Sequence, residues 1–460
     1  MSHSPSTGPS RRRFLQGISA AACFAALNDN PTDANEPQAR ETLPPATSPR
    51  ATSGDDAAEP NWNERLTVTV GPDNNKADLA GNTEKVLQAA VDYVARFGGG
   101  TVQILPGTYK LRNAVYLSSH VRVLGSGADS ILIKEPSIKT KLAADSDWYD
   151  QEVTLEDAAG FQVGDGICLR TKNPHTGGIT TLKRTLLARS GNRFKLDKAL
   201  RENYWLMGES TAATLFPIFS GEFLKNVVIE NITLDGNKAH NELLDGNYAG
   251  CVFLQDCNRV TMRKVEARNY HGDGLSWQIC HDCLVEDCHS HDNTGLGMHP
   301  GSGSQRPIMR RNKLEHNDIG IFFCWGVKNG LAEDNFIADN RGSGVSIGHR
   351  DTDNLVRKNE ILRSGKAGIL FRPERGKGFA GDRNRIEANR IVDTGAADGI
   401  GIDVQGFTDA IQLSGNRIQE TREPMQRIGV RLGENTGTIT LAENQIEGVS
   451  TAVTDLRKAK

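Results

Sequence analysis

The tightest constraint on this chain is a repeat in its second half. Gly274-Leu-Ser-Trp-Gln, Gly295-Leu-Gly-Met-His, Gly320-Ile-Phe-Phe-Cys, Gly344-Val-Ser-Ile-Gly and Gly368-Ile-Leu-Phe-Arg begin 21, 25, 24 and 24 residues apart. In each, the first and third residues after the glycine are large and apolar. Such period-two alternation marks a strand with one buried face. A second column runs through Asn312, Asn335, Asn359, Asn389, Asn416 and Asn444, each two residues before an apolar position. Cys288 and Asn231 extend it upstream. Fixed columns at a period of 20 to 30 residues are the signature of a solenoid. Leucine-rich repeats share the period but need a denser leucine pattern. Stacked asparagines inside a coil can satisfy turn backbone groups and one another.

These columns predict an all-β fold, a right-handed parallel β-helix with a coil of about 24 residues. The composition suits it: 48 Gly and 6% aromatic residues fit many short strands joined by tight turns. The net charge of -3 and the dispersed basic residues argue against a nucleic-acid partner.

The front of the chain differs. Residues 83–97 carry helical periodicity, with Val86, Leu87, Ala90, Val91 and Val94 on one face. Gly98-Gly-Gly-Thr-Val-Gln-Ile-Leu-Pro-Gly-Thr-Tyr follows, then Val121-Arg-Val-Leu-Gly. This cap resembles the pectate-lyase-like superfamily, in which an amphipathic helix plugs the open end of the first coil. The first coil has no upper neighbour, so its apolar end needs a cover. The resemblance implies the β-helix fold and no particular activity, because one fold hosts many. From about 143 to 205 the repeat breaks, and short strands predict a small inserted β-subdomain. The β-helix domain is expected over 61–460.

Ser10-Arg11-Arg12-Arg13-Phe14-Leu15 before the apolar run Gly17–Leu27 resembles a twin-arginine export signal. Residues 1–30 are read as that signal peptide and 31–60 as a disordered linker rich in Pro, Ser, Thr and Asp. The apolar run is too short to span a bilayer. The expectation is an exported, periplasmic or extracellular, monomeric chain without a transmembrane segment. Cys280-His-Asp-Cys283 has metal-pair spacing, but no second such pair exists. Packing in successive coils is the reading preferred for Cys257, Cys280 and Cys288.

Taking each glycine as zero, positions two and four face outward. The fourth position then reads Leu254, Gln278, His299, Cys324, Gly348 and Arg372. Trp325, His349, Arg350 and Glu374 lie just beyond, His271, Asp273 and Asp292 before the strands, and Asp403 farther along. A polar stripe of this kind suits a linear polysaccharide. Arg372, Arg350 and His349 would attract an acidic sugar, and Trp325 would stack on it. Elimination or epimerisation of a uronic acid needs a group that neutralises the carboxylate and a base that removes the C5 proton. His299 is the first candidate for the base, with Asp273 as its orienter. His349 and Arg372 are the other catalytic candidates. His271, Gln278, Trp325, Arg350, Glu374 and Asp403 are the candidate substrate contacts. In this register His299 and Arg372 stand three rungs apart, roughly 14 Å.

The expected activity is therefore that of a lyase or epimerase on an acidic glycan. A glycoside hydrolase and a non-catalytic glycan-binding β-helix are the alternatives. His271-Gly-Asp273-Gly and Gly297-Met-His299-Pro only faintly echo the blocks of polygalacturonase-type hydrolases. No cofactor is called for with certainty. Asp351-Thr-Asp353 is the close acidic pair that calcium could use.

Overall fold

The computed structural model describes residues 59–73, 76–373 and 376–458. The export signal, Cys23 and nearly all of the linker lie outside the described residues, as does Glu374.

The cap forms as its periodicity requires. Helix α1 (Glu84–Arg96) buries Leu87, Ala90, Val91 and Val94 over the first coil. Strands Leu66–Gly71 and Gly100–Ile104 pair in parallel beneath it. The coil then climbs through two long parallel sheets. One is an 11-stranded sheet running from Val115–Tyr116 to Thr451–Asp455; the other has 21 strands. Leu275, Met298, Ile321, Val345, Ile369, Ile402 and Val430 stack in register up the first sheet and form its buried face.

The strand pairing corrects one rung of the sequence reading. Leu275 pairs with Met298, so the glycine equivalent to Gly274 is Gly297 rather than Gly295. The spacing becomes 23, 23, 24 and 24 residues through Gly274, Gly297, Gly320, Gly344 and Gly368. His299 therefore occupies position two after the glycine, level with Ser276, and Gln278 is level with Gly301. Leu254 pairs with Trp277 and points inward. The glycine column has a steric cause. A Cβ on Gly297, Gly320, Gly344 or Gly368 would stand 2.6–2.7 Å from the carbonyl oxygen of the equivalent residue one rung on. Only glycine lets consecutive coils approach so closely there.

The asparagine column is a continuous ladder. The side-chain oxygens of Asn335, Asn359, Asn389, Asn416 and Asn444 each accept a backbone N–H from the preceding rung at 3.0–3.1 Å and its side-chain amide at 2.8–3.0 Å. Cys288 heads this ladder, its N–H donating to Asn312 at 3.0 Å. Asn231 is not part of it. Ile232 pairs with Val265, which donates its N–H to the Cys288 sulfur, so Asn231 falls one place early. It occupies a left-handed turn position (φ 57°) instead. Cys257 and Cys280 are successive rungs of one column, as read, with the Cys257 N–H reaching the Cys280 sulfur at 3.4 Å. Buried, these thiols pack as small apolar side chains.

Between Lys139 and Ala213 a six-stranded antiparallel sheet leaves the coil with its own apolar core, including Leu155, Phe161, Leu169, Phe194 and Tyr204. Its hairpin turns back onto the 11-stranded sheet. There Lys183 Nζ lies 3.7 Å from the centre of the Phe253 ring. No described helix is long and apolar enough to cross a membrane.

Candidate functional site

The site grows out of the corner where the 11-stranded sheet ends and each coil turns. The residues just after the strands adopt a left-handed conformation in coil after coil: Phe223, Asp256, Ile279, Ser302, Trp325 and His349. Equivalent turn positions in adjacent coils stand one rung apart, so their side chains stack. The indole of Trp325 lies parallel to the imidazole of His349, ring centres 4.9 Å apart, which is close to the rung spacing of about 4.8 Å. Phe223, Ile279 and Trp325 are exposed, and Trp325 retains 51% of its surface.

Beside this stack sits Arg372. Its Nη1 donates to Ser346 Oγ at 2.8 Å, and its Nη2 donates to the Phe323 carbonyl at 2.8 Å and to Asp351 at 3.2 Å. Nε and Nη2 approach His349 Nδ1 at 3.4 and 3.3 Å. A guanidinium only donates, so Nδ1 of His349 is the acceptor in these two long contacts. The guanidinium also covers the Phe322 ring at 4.2 Å. Phe322 in turn meets the His299 ring edge-on at 5.6 Å. The long arginine side chain thus leans back toward His299 and shortens the separation that the rung count implied. Arg350 is exposed, held by its Nε bond to the Gly378 carbonyl at 2.8 Å, with its guanidinium 4.1 Å above the Phe379 ring.

His299 is placed differently from His349. It is only 2% exposed, and its Nδ1 hydrogen-bonds Asp273 at 2.8 Å. Asp273 also accepts the Leu296 N–H at 2.9 Å. It is wedged where a Cβ on Gly246 or Gly295 would collide with its carboxylate. Burial disfavours a charged imidazole at His299. The bond to Asp273 and the neighbouring Cys324 sulfur outweigh that, pushing His299 up to about 9. Its Nε2 is buried without a hydrogen bond that meets normal geometry. Cys324, half-buried and next to it, lies one rung on, level with Gly301. At neutral pH His299 is therefore protonated and covered, which does not suit a proton acceptor.

This pairing makes stability depend on pH. His299 ionises near 6.5 when unfolded and near 9 in the fold. Its contribution is complete below pH 6.5 and is lost as pH rises through 9. Asp273→Asn should abolish most of that alkaline loss and be less stable than the native chain near neutrality. Urea midpoints of both proteins between pH 6 and 10 test this; parallel curves would refute it.

The other expected contacts scatter. Gln278 is buried over Gly301, its amide donating to Ser276 at 3.2 Å. His271 is tied by Nδ1 to the Asn241 carbonyl at 2.8 Å. Asp403 is buried farther along the sheet, clasped by Arg431 through two bonds and by Gln405. Asp351 and Asp353 do not form a calcium pair. Asp351 is buried and accepts the N–H groups of Gly326, Val327 and Gly348, each at 2.9 Å. Burial pushes its carboxyl up to about 7, against the pull of Arg372 and those donors. Asp353 is held by Arg383. Ser346 and Phe322 shape the site and were not singled out from sequence, and Asp351, read there only as half of an acidic pair, anchors Arg372 instead. The spacing of Trp325 and His349, one coil apart, was the signal that could have joined them. A surface recess lies farther toward the C-terminal end of this corner, among Asp382, Asp409, Glu434, Asp455 and Arg457. Its carboxylates suit an acidic polymer poorly.

A family model described as "Right handed beta helix region" matches residues 219–329 and 250–391. A curated relative, the SPbeta prophage-derived uncharacterized protein YorA of Bacillus subtilis (strain 168), is 25% identical over 233 residues. The match covers 49% of this chain and 35% of that protein, so the chain spans about a third of the length of the curated relative it matches. Among solved structures, PfbA, a surface adhesin of Streptococcus pneumoniae, is similar with a TM-score of 0.52 at 13% identity. That match covers 85% of this chain and 93% of the adhesin. The mannuronan C-5 epimerase AlgE4 A-module of Azotobacter vinelandii gives a TM-score of 0.47 at 16% identity, over 85% of this chain and all of that module. At these identities the likeness is one of fold. Together with the parallel registers described above, the comparisons make the chain a right-handed parallel β-helix protein.

Proposed function

We propose that the chain is an exported enzyme that acts on an acidic polysaccharide, removing the C5 proton of a uronic acid in an elimination or epimerisation. The observation that carries this reading is the layered group of Trp325, His349 and Arg372. A stacking surface, an imidazole and a fixed positive charge set side by side along one polymer chain support this reading. Arg350, exposed at the same corner, adds a second cation for the polymer's carboxylates.

The chemistry follows from that arrangement. One sugar of the polymer stacks on the open face of Trp325, and the carboxylate of a neighbouring sugar beside His349 is drawn to Arg350 and Arg372. The bonds from Arg372 to His349 Nδ1 are long for hydrogen bonds, so the incoming carboxylate competes for the guanidinium and uncovers the Nδ1 lone pair. Neutralising the carboxylate acidifies C5–H, and Nδ1 takes that proton. In elimination, the C5–H electron pair becomes the C4–C5 double bond and the C4–O4 bond breaks. The imidazolium then returns its proton to the departing O4. In epimerisation, solvent water reprotonates C5 on the opposite face and the imidazolium returns its proton to solvent. The protonated His299, held by Asp273, adds positive charge beneath Phe322 and positions the rung that carries Cys324.

Two-carboxylate hydrolysis is the less favoured alternative, because Asp273, Asp351 and Asp403 are all buried against donors on this face. The deciding experiment incubates the chain with a panel of acidic polysaccharides and follows 235 nm absorbance, reducing ends and C5 configuration by NMR. A conjugated double bond or an inverted C5 on one polymer is expected. Reducing ends without absorbance would replace this reading with hydrolysis. Binding without any product would replace it with a glycan-binding β-helix.

A further inference from the structure

The 21-stranded sheet, away from the glycan corner, carries a cluster of imidazoles and carboxylates that none of this chemistry uses. Glu266 pairs across the rung with His289, and His291 pairs across the next rung with Glu315. One donor atom from each of Glu266, His289 and His291 lies within 4.8 Å of the other two. All three are partly exposed, so an ion could reach them from solvent. The imidazoles of His289 and His291 stack with centres 4.0 Å apart and planes 26° apart.

We infer that Glu266, His289 and His291 form a binding site for one divalent transition-metal ion of the zinc class. Two features beyond proximity support it. His291 Nδ1 is bonded to Asp292 at 2.7 Å, which leaves Nε2 facing Glu266 at 3.2 Å. A carboxylate behind an imidazole is the arrangement that orients a histidine ligand and raises its basicity. The second feature is Glu315, 3.2 Å from His289 Nε2, a second carboxylate at the rim. A bound ion would replace the proton that His291 shares with Glu266, and Glu315 or water would complete its coordination.

The donor chemistry also selects the metal. Arg268 donates to Glu266 at 2.9 Å, and Lys313 approaches Glu315 at 2.6 Å. These cations offset the carboxylates and weaken the site for calcium or magnesium, which bind through charged oxygens. The imidazoles keep their affinity for zinc, cobalt, nickel or copper.

The test titrates the chelator-stripped chain with Zn²⁺ by calorimetry and with Co²⁺ by visible absorption, beside the His289→Ala/His291→Ala double variant. One saturable ion per chain is expected, with a cobalt d–d band of tetrahedral intensity, and both are lost in the double variant. Asp292→Asn should weaken binding about 10–100-fold without removing the ligands. Glu266→Gln should weaken it as well. Calcium should not compete. Equal zinc binding by the native chain and the double variant would place the ion elsewhere, at the cysteines for example, and overturn the inference. So would no binding by either. Polysaccharide activity is not read in this experiment, so its outcome is independent of the proposed reaction.

Discussion

His349→Asn is expected to lower turnover on the susceptible polysaccharide about 10²–10⁴-fold, the usual range for losing a general acid or base. Asparagine is chosen because His349 sits at φ 50°, a left-handed conformation that asparagine adopts at little cost. The variant keeps the turn while removing the imidazole. The loss should fall on kcat, since stacking on Trp325 and the cations at Arg350 and Arg372 persist. Trp325→Ala should instead raise KM, because it removes binding surface that the polymer uses before and during reaction. Initial rates at 235 nm, with melting temperature as the check on folding, decide it. If His349→Asn turns over as fast as the native chain, His349 is not the base. His299→Asn would then be the variant to examine. Its imidazole is already protonated at neutral pH, so an acceptor role there requires activity to rise toward pH 9.

Phe371→Ala is expected to cost about 3–5 kcal/mol, as large-to-small changes at buried aromatics do. Phe371 is fully buried and stacked between Ile347 and Val404 in adjacent rungs. Its ring fills the coil interior where no other side chain can follow it, because the strands on either side are bonded in register. A coil contacts only its neighbours, so the damage should be local. Hydrogen exchange should speed up first in Ser343–Ile347, Ala367–Phe371 and Ile400–Val404, with the N-terminal coils still protected. A urea midpoint unchanged from the native chain would mean that the coil collapses around the gap. Uniform loss of protection along the chain would mean that the solenoid unfolds as one unit.

The sequence by itself determined the coil. Alternation buried one face of each strand, and a period near 24 residues put like residues one above another. The asparagine column needed only its spacing to be read as a ladder, because a buried amide must find partners and the next rung offers the same ones. The helix over residues 83–97 was likewise set by its apolar face. What sequence left open was register at the rung of Gly295. Gly295 and Gly297 both fit a glycine-led alternation, and a two-residue slip keeps every apolar residue facing inward, so periodicity cannot choose between them. Sterics chose. Gly297 is the residue that must meet the next carbonyl without a Cβ. That choice moved His299 off the column of Gln278 and Arg372 and beneath Phe322.

The candidate site divides along the same line. Sequence gathered Trp325, His349, Arg350 and Arg372 on one corner, since each follows a strand by a fixed count. It could not say which histidine faces a guanidinium and which a carboxylate. That depends on whether the nearest charge is Arg372 or Asp273, and both are brought in from other coils, 23 and 26 residues away. Electrostatic environment, burial and side-chain reach across rungs are properties of the stacked coils together, and only the tertiary structure decided them.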